Sequence, residues 1–559
     1  MRRASVVFLT AVVVLAGLSP VAAAAPGGAD AVVEPAPVEA TMQTADNESA
    51  PADPESDRLG WENGYWHNET IDVDQSDGLT EAELNATVSR SMARVEMIRG
   101  LEFDMDVPVR IITRSEFASS GNASYSDDFL TFDDTKFEAL FLIGEDEDSI
   151  EVQDANRGAS VGGYYSPAAD SIVLVTDNES TLQVDELTLG HELVHAIQDQ
   201  EFDLSTVTSQ TRDGANANSG LIEGDANYVQ QRYRERCAEG GEWADTCLSP
   251  STNGSGGGAT PPNMGVYFLN YQPYSDGPTF IGAQRAAGGW ERVNSLYGDL
   301  PASAEQVIHP DRYRSDAPTE VELADEHGEG WERVTPESRL DYAEVGQSGV
   351  AAMFVYPLYA GGGDVQTYAR NVVGPQTWLN YTESGEISQV DPLNYGFDAA
   401  AGWDGDRMHF YRNADGETGY VWRLVWDSPE EATEFRAAYE ELLSYWGAEQ
   451  VGTDTYRIDE DASAFADAFH VTVEGDTVTV VNAPTVDSLS AVRSSTDAQL
   501  STPTATPSPA ATDAAGTDTE TPSTEGTGSD SATTTSAPGF SVVAALAGLL
   551  TVALLAGRR

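Results

Sequence analysis

The stretch HELVHAIQDQ at residues 191–200 places two of the chain's seven histidines four positions apart, with a glutamate directly after the first. On an α-helix, side chains four residues apart share one face, with about 5–6 Å between their Cβ atoms. Asp185 stands where a helix N-cap is expected, and the apolar residues Leu189 and Ile197 fit helical spacing. The pattern therefore predicts a helix from Asp185 to about residue 200 that brings both imidazoles to one point.

Two imidazoles at this spacing can bind one zinc ion, each at about 2.1 Å. Glu192 lies one position further along, so its carboxylate reaches a zinc-bound water rather than the ion and acts as general base. In a chain with few histidines this spacing is a specific pattern. We therefore predict a zinc site on His191 and His195, with Glu192 as the catalytic residue. Two ordinary histidines on a helix, or a bound metal without catalysis, are the alternatives.

A catalytic zinc needs a third protein ligand and an open fourth position. Glu223 lies in LIEGDA at residues 221–226, and small neighbours there permit the close approach of another helix. We predict that Glu223 is the third ligand and that it opens a second helix over about residues 220–236. A charge that merely suits a helix N-terminus is the alternative. Asp225 is expected either to accept a hydrogen bond from a histidine or to face solvent.

Two other residues are weaker candidates for the third ligand. Glu201 follows His195 by six residues, which is where the metzincin pattern of zinc peptidases has its third ligand. That pattern also has a glycine at position 198, where this sequence has Gln198, so the resemblance fails there. His309 is distant along the chain, in a turn-like context. Peptide hydrolysis also needs a group that stabilises the oxyanion. We predict His309 for that role, with a structural histidine as the alternative; the other candidates are Tyr228, Tyr233 and Tyr313.

HELVHAIQDQ followed by the EGDA helix resembles the gluzincin branch of zinc metallopeptidases. Four further segments are similar to a haloarchaeal surface-protein family of largely unknown function, namely GWENGYW (60–66), MARVEMIRGLEF (92–103), EQVIHPDRY (305–313) and GWDGDR (402–407). The resemblance covers residues 60–490 and implies a zincin-like core with the three ligands and the base given above. It also implies an edge strand that pairs with extended substrate, for which Ser171–Val175 is the candidate.

The predicted fold class is α+β. It comprises a zincin-like core, with a mixed sheet, an active-site helix and a helical lower subdomain, and a small appended α/β unit. Strands are predicted at Val107–Thr113, Ala139–Ile143 and Ser171–Val175. The predicted boundaries are a signal peptide (1–24), an acidic linker (25–58), a catalytic core (59–262), a mainly helical subdomain (263–400), the appended unit (401–490), a Ser/Thr/Pro-rich stalk (491–537) and a sorting signal with a membrane helix (538–559).

Both ends of the chain are typical of targeting segments. The N-terminus has two arginines, an apolar run and small residues near position 24, which is the pattern of a signal peptide. Near the C-terminus, Pro538, Gly539 and Phe540 precede an uncharged apolar segment and two terminal arginines. This arrangement resembles the archaeal PGF-CTERM sorting signal, which implies that an archaeosortase removes the helix and a lipid replaces it. A plain transmembrane anchor is the alternative, and both place the protein outside the cell, in the S-layer region.

The charge of the chain excludes one class of partner and indicates an environment. The chain has 92 acidic against 29 basic residues, a net charge of −63, so the basic surface that nucleic-acid binding requires is missing. Such a surface repels itself unless salt screens it, which favours a halophile. Export also permits a disulfide between Cys237 and Cys247, with two free thiols as the alternative.

These observations predict a zinc-dependent metallopeptidase at the cell surface that hydrolyses extracellular peptides or proteins. The alternative is a non-catalytic envelope protein on a retained zincin scaffold, with a binding or structural role. The presence of Glu192 favours catalysis, because a purely structural pair of histidines has no need of it.

Overall fold

The computed structural model describes residues 53–119, 125–176, 183–249 and 261–497. Outside the described residues lie the predicted signal peptide, most of the predicted acidic linker, nearly all of the predicted stalk, and the sorting signal at Pro538, Gly539 and Phe540. Within the described ranges the protein is α+β, as predicted, with a helical region and a seven-stranded antiparallel sheet. No helix of this described part is both long enough and apolar enough to cross a membrane.

The helices are α1 (Glu81–Arg99), α2 (Arg114–Ser119), α3 (Asp127–Ala139), α4 (Ser149–Ser160), α5 (Glu186–Phe202), α6 (Arg212–Cys237), α7 (Met264–Leu296), α8 (Ala304–Ile308), α9 (Gly346–Val355), α10 (Pro357–Ala360), α11 (Val365–Asn371), α12 (Pro375–Trp378), α13 (Pro429–Tyr445) and α14 (Leu489–Val492). The strands are β1 (Trp61–Glu62), β2 (Tyr65–Trp66), β3 (Val109–Thr113), β4 (Gly163–Ser166), β5 (Ser171–Thr176), β6 (Trp331–Arg333), β7 (Trp403–Asn413), β8 (Thr418–Trp426), β9 (Glu449–Gly452), β10 (Thr455–Arg457), β11 (Ala468–Glu474) and β12 (Thr477–Ala483).

A three-stranded mixed sheet lies beside α5, in the order β3-β5-β4. β3 runs parallel to β5, and β4 runs antiparallel to it. The predicted edge strand, Ser171–Val175, is therefore wrong as an edge: it forms β5, the central strand. The edge next to α5 belongs to β4, whose Tyr165 touches Glu192 of that helix. Which strand is central depends on pairing between segments far apart in the chain. The alternation of apolar and polar residues within one segment therefore could not reveal the strand order.

α5 begins and ends close to the predicted residues because local signals define it. Asp185 caps its N-terminus by accepting from the Thr188 amide. At the C-terminus, Asp203 adopts the left-handed conformation with φ 53°, and its amide bonds to Asp199. The helix packs in a core shared by α1, α6 and the small sheet, in which Leu193 and Val194 are fully buried. The predicted motif-bearing helix is confirmed, and its apolar face is buried.

α6 begins at Arg212, eight residues earlier than predicted, so Glu223 lies in the interior of a long helix rather than at its start. Its first turns contain Gly214, Asn216 and Gly220, which are poor helix formers. Tertiary contacts compensate: the Asn216 side chain donates to Leu269 O (2.8 Å) and to the Ser348 hydroxyl (3.0 Å). The reading of Glu223 as an N-terminal charge is therefore wrong.

α6 and α7 approach each other through glycines. A Cβ atom on Gly224 would lie 2.5 Å from the Gly277 carbonyl oxygen, and one on Gly277 would lie 2.6 Å from the Gly220 oxygen. Pro273 inside α7 leaves the Leu269 carbonyl without its helical partner, and this is the carbonyl that the Asn216 side chain satisfies. The packing of α7 thus determines where the middle of α6 lies.

The C-terminal region is built on the seven-stranded sheet, in the order β6-β7-β8-β12-β11-β10-β9. α13 covers one face of this sheet, where Trp422 and Trp426 are buried. β6 at Trp331–Arg333 belongs to this sheet, although it lies well before the predicted start of the appended unit at residue 401.

The predicted strand at Ala139–Ile143 is wrong. α3 runs to Ala139, and the apolar residues after it form a buried turn. Phe141 packs there against Phe465, with ring centroids 5.1 Å apart, and against Phe469 at 5.7 Å. A short apolar run cannot be assigned to strand, helix or turn from its periodicity alone.

Candidate metal centre

The structure brings the three predicted ligands together. His191 and His195 come from successive turns of α5, and their Nε2 atoms lie 3.1 Å apart. Glu223 Oε2, from α6, lies 3.3 Å from each of these nitrogens. The three side chains are buried, with relative exposures of 1%, 9% and 7%. Two imidazoles and one carboxylate therefore converge on a single point.

The spacing of these donor atoms fits a tetrahedral ion. Ligand bonds of about 2.1 Å at tetrahedral angles separate neighbouring ligand atoms by about 3.4 Å. The three separations of 3.1, 3.3 and 3.3 Å form a nearly equilateral triangle of about this size. Two nitrogens and one oxygen form the donor set of His₂Glu zinc sites, which leave one position open.

Gln198 orients one of the histidines. Its Oε1 lies 2.9 Å from His195 Nδ1, and its Nε2 donates to Ile222 O at 3.0 Å. An acceptor at Nδ1 places the imidazole proton there and leaves the Nε2 lone pair facing Glu223. Sequence reasoning used Gln198 only to reject Glu201 and missed this role. The available signal was its position three residues after His195, on the same helical face.

Asp225 neither accepts a hydrogen bond from a histidine nor faces solvent, so both predictions for this residue are wrong. It is fully buried, and its carboxylate accepts from Arg99 Nε at 3.0 Å and from the Tyr297 hydroxyl at 2.9 Å. It therefore joins α6 to α1 and α7 and contacts no histidine through these bonds. By fixing the turn that follows Glu223, Asp225 acts on the geometry of the cluster indirectly.

Glu192 is buried beside the cluster, with an exposure of 4%. Its Oε2 accepts a hydrogen bond from the backbone amide of Tyr165 in β4, at 2.9 Å. Burial raises the pKa of Glu192 above its ordinary value, against the opposing effect of the two imidazoles. A raised pKa suits a carboxylate that must take up a proton near neutral pH.

The charges of the cluster are strongly coupled. Burial opposes ionisation of Glu223, but His195 and His191 outweigh it and lower the pKa of Glu223 to about 2. Burial likewise opposes protonation of His195, but Glu223 and Glu192 raise its pKa to about 9. A metal ion must displace that imidazole proton, so occupancy should fall as the pH is lowered.

His309 lies apart from these contacts, at the C-terminal end of α8. Its Nε2 is 3.2 Å from Gln347 Nε2, and its ring packs so closely on Gly396 that a Cβ atom there would lie 2.8 Å from Cε1. Burial lowers the pKa of His309. Its predicted role as oxyanion donor stays a prediction, and these contacts add no support for it.

A buried charge cluster that the sequence did not indicate anchors the start of α5. Glu186 pairs with Arg90 at 2.9 Å and Arg94 at 2.5 Å, and it accepts from the Tyr233 hydroxyl at 2.6 Å. Because Arg90 and Arg94 lie on α1 and Tyr233 on α6, one carboxylate joins three helices. The disulfide Cys237–Cys247, with Cα atoms 5.8 Å apart, closes the adjoining loop.

Comparison with known families identifies two segments of the chain. A family model described as a domain of unknown function (DUF8575) matches residues 332–493, and a PGF-CTERM motif matches residues 537–559. The first match covers the seven-stranded sheet almost completely, but it does not include α5 or α6. No curated protein and no solved structure matches the chain.

The PGF-CTERM motif shows where the protein resides. It indicates an exported protein that an archaeosortase processes and that is anchored to the membrane at the cell surface. The predicted localisation is thereby confirmed, as is the predicted sorting signal. The group of His191, His195 and Glu223 and the C-terminal sheet therefore belong to a protein at the cell surface.

Proposed function

We propose that this cell-surface protein is a zinc-dependent metallopeptidase with a gluzincin-like centre. The observation that carries the proposal is the triangle of His191, His195 and Glu223 donor atoms, with the Glu192 carboxylate buried beside it. A site that only held a metal for stability would not require a fourth residue, a separately oriented acid.

The residues divide the chemistry among them. Zinc, when bound, supplies a Lewis acid that lowers the pKa of a bound water to about 7. His191, His195 and Glu223 hold their donor atoms in place, and Gln198 fixes the tautomer of His195. Glu192 takes the proton of the attacking water on its carboxylate and returns it to the departing amine. The Tyr165 amide orients that carboxylate through Oε2.

β4 is the candidate for substrate binding. It forms the edge of the small sheet, and the Tyr165 amide points away from β5 towards Glu192. An extended peptide that added to this edge of the described sheet would place its own backbone beside the Glu192 carboxylate. Recognition through main-chain hydrogen bonds gives weak sequence preference, which suits a peptidase acting on varied extracellular proteins or peptides.

The first experiment measures zinc per molecule by elemental mass spectrometry on the protein purified in molar NaCl. We expect about one zinc in the wild type and none in the His195→Ala and Glu223→Gln variants. Glu201→Gln is the matched control, because it removes an exposed acid from the last turn of the same helix and should retain zinc. A folded wild type without zinc, or zinc retained by Glu223→Gln, would refute the ligand set.

The second experiment separates catalysis from metal binding. Glu192→Gln should keep its zinc and lose peptide hydrolysis by 10²-fold or more, as expected for loss of a general base. Hydrolysis is followed in molar salt on a mixture of unfolded proteins, with new termini detected by mass spectrometry. If the wild type binds zinc but produces no new termini, the non-catalytic envelope role is correct instead.

A further inference from the structure

Three acids, separate from the proposed zinc site, lie at the seam between α3 and the C-terminal sheet. It consists of Glu138 in the last turn of α3, Glu145 in the loop after it, and Asp467 just before β11. Each offers one carboxylate oxygen, and these oxygens all lie within 4.8 Å of one another. Asp467 is buried and Glu138 half-buried, whereas Glu145 is exposed. Segments more than 300 residues apart in sequence thus place three carboxyl groups together.

No basic side chain balances these acids among the described residues. The strongest charge effects on Glu138 and Asp467 come from other acids, including Glu145. A third acidic group in the structure, around Arg312, shows the contrast. There the guanidinium lies 2.6 Å from Glu305, 3.0 Å from Asp316 and 2.8 Å from Asp427, so the protein supplies its own counter-charge.

An independent observation points to a ligand at the seam. Asn482, with an exposure of 1%, donates from Nδ2 to Asp467 Oδ2 at 2.7 Å. Its amide oxygen Oδ1 has no hydrogen-bond partner in the described structure. Both atoms belong to one amide, so this oxygen lies beside the Asp467 carboxylate. A buried, unsatisfied carbonyl oxygen is costly unless a donor or a cation meets it.

We propose that Glu138, Glu145 and Asp467, together with the Asn482 amide oxygen, bind a calcium ion that joins α3 to the C-terminal sheet. Calcium takes six to eight oxygen ligands in flexible geometry, commonly carboxylates, amide carbonyls and water. The exposed position of Glu145 leaves one side open to water. The seam offers oxygen donors only, which favours calcium over the zinc proposed for the histidine cluster.

The site would stabilise contacts that the seam already makes. The Glu145 amide donates to Ala464 O at 3.1 Å, and Gly144 packs so tightly that a Cβ atom there would lie 2.7 Å from Ala464 Cβ. The rings of Phe141 and Phe465 meet beneath this loop. An ion held from both sides would therefore lock the loop after α3 onto the segment before β11.

A shared proton is the competing explanation for the cluster. Burial, reinforced by the neighbouring acid Glu145, raises the pKa of Asp467 to about 8, so a proton could take the place of the cation at neutral pH. The two explanations predict different responses. A cation site responds to calcium at constant pH, whereas a proton-sharing cluster responds to acid and is indifferent to calcium.

The test uses the exported protein in molar NaCl, stripped with a chelator and then resupplied with one zinc per molecule. Calcium binding is measured by titration calorimetry, and stability is measured by thermal unfolding with and without calcium chloride. The variants are Asp467→Asn and Glu145→Gln. Asp146→Asn is the matched control, since it removes the same charge from the neighbouring exposed position. Glu145 lies in an exposed loop, so its variant tests the site even if Asp467→Asn fails to fold.

We expect one saturable calcium per molecule in the wild type and in Asp146→Asn, with the unfolding midpoint raised by a few degrees. Affinity should fall at least tenfold in Glu145→Gln and Asp467→Asn. Equal calcium binding by Glu145→Gln and the wild type would overturn the proposal, as would a wild-type midpoint that calcium does not change. Magnesium producing the same shift at the same concentration would overturn the assignment to calcium. His195→Ala should keep the calcium response, so failure of the zinc proposal is recognised separately.

Discussion

Substitution of Gly224 by alanine tests how the packing of α6 and α7 positions Glu223, the proposed metal ligand next to it. The added Cβ atom would lie 2.5, 2.6 and 2.8 Å from the O, C and Cα atoms of Gly277. These are backbone atoms, which cannot rotate away as a side chain can. Favourable carbon contacts begin at about 3.5 Å, so the helices must separate by nearly 1 Å.

The expected cost follows from two opposing effects. Overpacking of this kind costs about 1–3 kcal/mol, and replacing a helical glycine by alanine returns at most about 1 kcal/mol. We therefore expect Gly224→Ala to lower the free energy of unfolding by up to about 2 kcal/mol. Zinc affinity should fall as well, because Glu223 is the adjacent residue and its Oε2 must stay within 3.3 Å of both imidazoles.

The assay is denaturant unfolding in molar NaCl, combined with zinc competition against a chelator. Gly282→Ala is the matched control on α7, since its Cβ atom would meet only the Tyr228 ring at 3.5 Å, an ordinary contact. It should be neutral or slightly stabilising. If Gly224→Ala is as stable as the wild type and binds zinc equally well, the glycine contact does not position Glu223 and the reasoning is wrong.

Three further predictions concern orientation, pH and salt. Gln198→Leu should weaken zinc binding about 10–100-fold in chelator competition while the helix content by circular dichroism stays the same; unchanged affinity would contradict the orienting role. Burial raises the pKa of Glu62 to about 9 and that of Glu96 to about 7. Between pH 4.5 and these values the native state therefore binds more protons than the unfolded state. The stability that these bound protons contribute is fully present below pH 4.5 and is lost as the pH rises through 7 to 9. Glu62→Gln should flatten this decline in the thermal midpoint, and an equally steep decline in the variant would exclude this pair as its source. The protein has a net charge of −63, so it should lose stability when NaCl is lowered from 1 M to 0.1 M. The screening length then grows from about 3 to about 10 Å, and repulsion between the acidic side chains increases. An unchanged unfolding midpoint would disprove this account of the acidic surface.

Some features follow from neighbouring residues and were predictable from sequence. α5 has its cap, its apolar spacing and its two histidines within one short stretch, so its existence and its extent agree with the prediction to within two residues. α13 is equally self-contained, with Ser428 as N-cap and Pro429 in the first turn. The PGF-CTERM motif is a short run of consecutive residues, so it too could be identified without knowledge of the fold.

Other features depend on contacts between distant segments. Poor helix formers obscure the start of α6, and only the contact of Asn216 with α7 and α9 explains why those turns are helical. The roles of Gln198 and Asp225 depend on which groups lie across from them, Ile222 in one case and Arg99 with Tyr297 in the other. The Glu186 cluster with Arg90 and Arg94 was missed for the same reason.

The sequence by itself determined the spacing of His191 and His195, the acid between them, and the location of the protein at the cell surface. Each is a property of residues close together in the chain. The tertiary structure alone decided that Glu223 reaches both imidazoles, that β4 rather than β5 forms the edge, and that Glu138 meets Asp467. Strand order and helix crossing arise from burial of apolar surface between segments far apart in sequence. That driving force is non-directional, so local patterns do not specify which segments it brings into contact.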